Sequence, residues 1–254
     1  MIEVIVLRGP GTNCDVETAF AFERAGASVT EVHVNQFIRR EERLADYQIL
    51  VVPGGFTYGD DLGAGKVLAN QLRLKLGEDI MRFVESGGLI LGICNGFQVL
   101  AKAGILPEPS TSGEQKFTLA GNDSGRFECR WIHLAVNPKS PCVFTKGIDR
   151  MYLPVACGEG KVVADPEVLP KLNAVVHYTD EQGNRGAGYP QNPCGSMDDI
   201  AGICDATGRI FALMPHPERH IRGTQHPRWL RLGAKKYGDG FKVFQNAVAW
   251  VKGK

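Results

Sequence analysis

Gly87-Gly-Leu-Ile-Leu-Gly-Ile-Cys-Asn-Gly-Phe-Gln98 carries an apolar run, Leu89 to Ile93, that ends on a cysteine and passes at once into a segment of helical character. Gly92 and Gly96 stand two residues either side of Cys94. Small residues there let the backbone turn sharply, so the side chain between them stands out at the carboxyl end of a strand. This is the geometry of the G-x-S-x-G elbow with sulfur in place of oxygen. A cysteine at a helix N-terminus also sits at the positive end of the helix dipole, which favours thiolate. The competing reading is an inert cysteine packed as a small hydrophobe in an α/β core.

A second stretch, Arg209-Ile-Phe-Ala-Leu-Met-Pro-His-Pro-Glu-Arg219, weighs against that bland reading. An apolar strand runs into His216, and Pro217 biases His216 towards extended backbone. In an extended segment residues i and i+2 share a side, so the imidazole of His216 and the carboxylate of Glu218 can meet. A carboxylate that orients a histidine, which in turn serves a cysteine, is the logic of an activated nucleophile. Alone, His-Pro-Glu reads as an exposed turn; beside the elbow it reads as chemistry.

Working outward, the first half alternates strand and helix. Strands are expected over Ile2 to Leu7, Ser28 to Val34, Gln48 to Val52 and Leu89 to Ile93. Helices are expected over Asp15 to Ala25, Gly65 to Leu76, Asp79 to Ser86 and Asn95 to Ala103. Continuous apolar strands separated by helices imply a parallel sheet covered on both faces, with ligands at the carboxyl ends of the strands. Pro107 to Lys116 reads as an exposed loop. Shorter strands over Phe127 to Val136, Met151 to Ala156, Ala174 to Thr179 and Ile200 to Asp205 suggest an antiparallel flap inserted into the core. Phe241, Phe244, Val248 and Val251 share one face of a final helix. The expectation is a single domain over residues 1–254.

Composition narrows the function. The 254 residues are 43% hydrophobic and 22% charged, with a formal net charge of +1, enough to bury a full α/β core and nothing that favours nucleic acid or a membrane surface. The seven cysteines form no C-x-x-C pair, and the odd count without a secretory leader reads as reduced thiols. A cytoplasmic protein is expected. Arg8-Gly-Pro-Gly-Thr-Asn13 matches neither G-x-G-x-x-G nor a P-loop and reads as a plain strand-to-helix turn. His216, His220 and His226 lack regular metal-ligand spacing, so no metal is expected. Lys235-Lys236 and Arg228-Arg231 read as a solvated basic face. At Pro53-Gly-Gly-Phe56, backbone N–H groups of Gly54 or Gly55 at a strand end, with the amide of Asn95, could form an oxyanion hole if they lie near Cys94.

Pro53-Gly-Gly-Phe56, Gly92-Ile-Cys-Asn-Gly-Phe-Gln98 and His216-Pro-Glu218 together are similar to the triad-type (class I) glutamine amidotransferases. The resemblance narrows to the glutaminase components of phosphoribosylformylglycinamidine synthase. It narrows on Gly11-Thr-Asn-Cys-Asp15, Phe56-Thr-Tyr-Gly-Asp-Asp-Leu-Gly-Ala-Gly65, Gly125-Arg-Phe-Glu128, Cys157-Gly-Glu-Gly-Lys161, Asn192-Pro-Cys-Gly-Ser196 and Met214-Pro-His-Pro-Glu-Arg219. Three positions depart from that pattern: Gly63 where the stand-alone subunit usually carries Arg, Cys157 in place of His, and Cys194 in place of Asn.

The resemblance implies a flavodoxin-like, doubly wound, mostly parallel sheet with helices on both faces and a small antiparallel flap. It implies that Cys94 attacks the side-chain amide of L-glutamine, that His216 protonates ammonia and then activates water, and that Glu218 orients His216. Gln98 is expected to contact substrate. Ammonia would pass to a synthetase subunit, with or without a small accessory subunit. That synthetase would bind ATP and Mg and convert formylglycinamide ribonucleotide to its amidine, while no cofactor binds this chain. The alternatives are a glutaminase serving another synthetase, a Cys-His hydrolase on the same core, and a non-catalytic module.

Overall fold

The computed structural model describes residues 1–109, 114–233 and 235–253. Its first half runs β1 (Glu3–Arg8), α1 (Asp15–Arg24), β2 (Ser28–His33), α2 (Val34–Ile38), β3 (Ile49–Val52), α3 (Lys66–Glu85), β4 (Leu89–Ile93) and α4 (Asn95–Lys102). The second half is mostly strand: β5 (Phe117–Ala120), β6 (Glu128–Val136), β7 (Arg150–Cys157), β8 (Lys161–Ala164), β9 (Asn173–Thr179), β10 (Ile200–Cys204) and β11 (Ile210–Leu213), followed by α5 (Trp229–Leu232) and α6 (Phe241–Lys252). Residues 110–113 of the loop expected after Pro107 lie outside the described residues.

Nine strands form one sheet in the order β2-β1-β3-β4-β11-β10-β9-β6-β7, and β5 pairs with β8 separately. The ladders from β2 to β11 are parallel; those from β11 to β7 are antiparallel. Burial follows position. Every residue of β3, β4, β10 and β11 is buried, as central strands covered on both faces must be. The outermost β7 alternates buried and half-exposed residues, the pattern of a strand with one covered face. The chain steps one way from β1 to β2 and the other way from β3 to β4, so right-handed crossovers lay α1 and α3 on opposite faces. Phe22 of α1 meets Phe244 of α6 edge-on with ring centroids 5.0 Å apart.

Three expectations change in detail. The antiparallel strands are no flap set against the core: β6, β7, β9 and β10 extend the main sheet past β11. The short turn after β10 explains this, because Asp205 accepts from the N–H groups of Ile210 and Thr207 and folds β10 back onto β11 as a hairpin. Only β5 and β8 remain as a separate small pair. The two helices expected on either side of Gly77 are one helix, α3, of 20 residues; a lone glycine weakens a helix without ending it. The second strand stops at His33, whose Nδ1 accepts from Asn35 N–H and starts α2.

Gly77 is half-buried, and a Cβ built on it meets nothing within 4 Å. Gly77→Ala therefore raises stability by about 1 kcal/mol, the glycine-to-alanine difference in a helix interior. Urea unfolding of the two proteins measures it directly.

Candidate active site

Backbone register does the first part of the assembly. Val52 of β3 sits opposite Gly92 of β4, and Ile93 of β4 opposite Leu213 of β11. The residues just past these pairs, Gly54, Cys94 and His216, therefore emerge at one edge of the sheet. Cys94 N–H closes the arrangement by donating to Leu213 O at 2.8 Å. From the far end of the sheet β7 curls back over this edge: Pro154 O accepts from His216 N–H at 2.8 Å and Ala156 O lies 3.6 Å from Cys94 Sγ.

Cys94 takes φ 51° and ψ −105°, a backbone that side chains adopt only when the surroundings enforce it, at a cost of about 1–3 kcal/mol. The enforcement comes from Gly96. A Cβ there would lie 1.8 Å from Val52 O, so α4 rests directly on the end of β3 and the turn has no slack. The side chain of Cys94 is 4% exposed.

His216 Nδ1 and Glu218 Oε1 are 2.6 Å apart, both residues being buried. The route differs from the extended pair expected from sequence: His216 is extended, but Pro217–Arg219 forms a 3-10 turn that swings Glu218 back under the ring. Burial by itself disfavours a charged imidazole. Here it is outweighed by the Glu218 carboxylate first and by the thiols of Cys94 and Cys14 next, and the His216 pKa is held well above its ordinary value. Nε2 is buried with no closed hydrogen bond, as is common for catalytic groups before substrate binds.

Gly54 and Gly55 reach the same place. A Cβ on Gly54 would lie 2.9 Å from His216 Cε1, so the imidazole occupies the space a side chain would need. Gly55 has φ 148° and packs on the Gly11–Asn13 loop, with Phe56 N–H donating to Gly11 O at 2.9 Å. Asn95 is the first residue of α4; its side chain turns away from the sulfur, accepting from Thr57 and donating to Gln98 and Asp60. Gln98 spends its amide inside the protein, accepting from Asn95 and donating to Glu159 O at 2.5 Å. The structure thus gives Gln98 a supporting place beside the elbow, with Glu159 held further by Lys102 and by Ala64 N–H. Of the other histidines, His220 bonds Tyr152 O and His226 stacks against Trp131 and Tyr152, so the three share no ligand geometry.

Residues 1–251 match the family model described as the CobB/CobQ-like glutamine amidotransferase domain. The chain belongs to that family. Among its relatives, the phosphoribosylformylglycinamidine synthase subunit PurQ of Dehalococcoides mccartyi is 63% identical over 251 residues, covering 99% of this chain and 98% of the relative. The subunit of the same name from Methanococcus maripaludis is 45% identical over 264 residues, covering 98% and 97%. Among solved structures, a chain of PurLQS from Thermotoga maritima superposes with a TM-score of 0.74 at 33% identity, covering 98% of this chain and 99% of that one.

Within this amidotransferase the departures from pattern acquire a meaning. Cys157 and Cys194 are both buried, and their sulfurs touch at 3.5 Å. The contact with Cys194, then burial, pushes the Cys157 thiol well up. Two positions that depart together are one packing unit. Gly63, the third departure, lies at φ 97°, where an arginine would be strained. Sequence reasoning missed Cys14: its sulfur lies beside His216 and 3.0 Å from Arg219 Nη2. The signal available was its place in Gly11-Thr-Asn-Cys-Asp15, after a strand that ends at the same sheet edge as Cys94.

Two outcomes follow from this packing. Gly54→Ala drives a methyl group into His216 and lowers glutamine turnover by about a hundredfold or more, while circular dichroism stays that of the parent. Cys157→His and Cys194→Asn each destabilise alone, and the double variant recovers part of the loss. A four-protein denaturation cycle should give a coupling on the order of 1 kcal/mol, as for residues in contact.

Proposed function

We infer that this protein is the glutamine-hydrolysing component of phosphoribosylformylglycinamidine synthase: it releases ammonia from L-glutamine for the synthetase that makes formylglycinamidine ribonucleotide in purine biosynthesis. The observation that carries this reading is the Cys94–His216–Glu218 set, intact at the adjoining ends of β4 and β11, in a chain that matches subunits of that name along its whole length.

His216 Nε2 takes the proton of Cys94, and Sγ attacks the side-chain carbonyl carbon of glutamine. The amides of Gly54 or Gly55 and Asn95 hold the oxyanion. Collapse expels ammonia, which leaves with the proton held on His216, and a glutamyl thioester stays on Cys94. Water then attacks the thioester, giving a proton to His216 and releasing glutamate and the free thiol. Glu218 keeps Nδ1 occupied throughout, so Nε2 alone moves protons. Gln98 supports this floor through Asn95 and Glu159.

The synthetase supplies ATP and Mg, with a small accessory subunit in the assembly, as the name of the Thermotoga maritima complex suggests. Residues 1–254 act as a single domain; one hydrophobic core cluster draws residues from Ile2 through to Val248, which supports this. Among the described residues no helix is long and apolar enough to cross a membrane; the cytoplasmic place we propose rests on the likeness to PurQ subunits. Cys94 is 4% exposed and its sulfur lies against Ala156 O, so admission of glutamine calls for neighbouring segments to part. Docking of the synthetase opens the site, so ammonia is made only where it can be used.

Glutamate release is the test, measured for the chain alone and with its synthetase, ATP and formylglycinamide ribonucleotide, beside Cys94→Ala. Turnover rises with the full mixture and vanishes in the variant. Equal turnover with and without the synthetase removes the gating, and thiol-dependent turnover that ignores this synthetase assigns the glutaminase to another partner.

A further inference from the structure

Cys14 has no part in the reaction above, yet it is buried against the imidazole that carries it out. It precedes the first turn of α1, its N–H donates to Gly54 O at 3.2 Å, and its carbonyl accepts from Thr18 Oγ1 at 2.5 Å. A Cβ on Gly54 would lie 3.0 Å from Cys14 Sγ and 2.9 Å from His216 Cε1, so both border the space beside Gly54, and Cys14 Sγ lies within 4.8 Å of a ring nitrogen of His216. Sγ donates to Asn13 Oδ1 at 3.2 Å and accepts from Arg219 Nη2 at 3.0 Å. Arg219 is itself anchored on α1 by Glu17, its Nε donating to Oε1 at 3.2 Å.

Two other roles for this thiol fit poorly. Ligand-type atoms of Cys14, His216 and Glu218 lie within 4.8 Å of one another. However, a guanidinium donating to the sulfur puts positive charge beside any cation held there, and His216 Nδ1 and Glu218 Oε1 are already bonded to each other. A second nucleophile is disfavoured as well. Burial pushes the Cys14 thiol up, and its proton is already directed at Asn13.

We propose that Cys14 is a positioning residue for His216: its sulfur, fixed between Asn13 and Arg219, holds the imidazole edge in line with Cys94 and stabilises the ring while it stores the proton. The proposal rests on the reading of His216 as the acid–base group of the glutaminase. The groups facing the ring are Cys94 from the β4–α4 elbow, Cys14 from the start of α1 and Glu218 from its own turn, with Arg219 behind the sulfur. All three facing groups favour the protonated imidazole. Loss of one lets the ring give up its proton at lower pH.

The experiment compares Cys14→Ala and Cys14→Ser with the parent, each assembled with synthetase and its substrates. Cys14→Ala lowers kcat by roughly ten- to a hundredfold, the scale of a misplaced catalytic group. KM for glutamine stays within about twofold, since the sulfur does not touch substrate. The alkaline limb of kcat moves to lower pH, and Cys14→Ser, which keeps an acceptor for Arg219, restores most of the rate and the limb. Should Cys14→Ala fail to fold, Cys14→Val fills the volume without a hydrogen-bonding atom and carries the same expectation. A folded Ala or Val variant with parental kcat and pH profile overturns the proposal, as does a loss that Ser shares in full with the limb unmoved. Residual turnover in a parallel Cys94→Ala sample would instead overturn the site reading itself.

Discussion

The parallel register of β3, β4 and β11 is the constraint on which the rest depends. Three strand ends lie side by side, and each delivers one component at the same height: a glycine turn, a cysteine and a histidine. None of these needs a long side chain or an adjustable loop to reach its partners, because the hydrogen-bond ladders have already fixed the backbone to fractions of an ångström. The glycines are consequences of that closeness. Gly96 exists because α4 touches the end of β3, and Gly54 because the imidazole fills the place of its side chain. A fold that brings three strand ends this close can tolerate almost no atoms between them.

The same closeness explains the electrostatics. A buried imidazole on its own would prefer to be neutral, and a buried carboxylate on its own would prefer a proton. At 2.6 Å, with both residues buried, the Glu218 carboxylate offsets the imidazole's desolvation, and the balance tips towards a charged ring. The strained backbone of Cys94 belongs to the same economy of space: the turn that raises the sulfur above the sheet is unfavourable locally and is held by the packing of α4. Stability and reactivity are set by the same contacts here.

Much of this was legible in the sequence, for a physical reason. Leu89 to Ile93 and Ile210 to Leu213 carry no polar side chain because central strands are covered on both faces, so the two strands that lead into Cys94 and His216 are also the two easiest to read. What could not be read was sheet membership. β6, β9 and β10 look like a local flap because their pattern is short-range, whereas their place in the sheet depends on a hairpin at Asp205 and pairings between distant segments. Gly77 suggested a break because propensity is local, while the burial of Leu72, Leu76 and Ile80 carries α3 through it. Cys14 escaped notice for the opposite reason: it sits in a loop without periodicity, and only the fold reveals what lies across from it.

Beyond the edge where the strands end, the polar bonds form a connected frame rather than separate contacts. Thr57 and Asp60 lie in the loop after Gly55, and both bond to Asn95, the residue next to Cys94. Asn95 passes to Gln98, Gln98 to Glu159, and Glu159 to Ala64 and Lys102, which returns to the same loop and helix. That loop holds Tyr58 and Asp60 at φ 56° each, two unfavourable conformations on either side of Gly59, and it carries the exposed side chains of Phe56 and Leu62. A strained segment that faces solvent with apolar groups and is bonded to the elbow helix cannot move without acting on Cys94. The frame therefore ties the loop that carries Phe56 and Leu62 to the first turn of the helix that holds the Cys94 elbow in place.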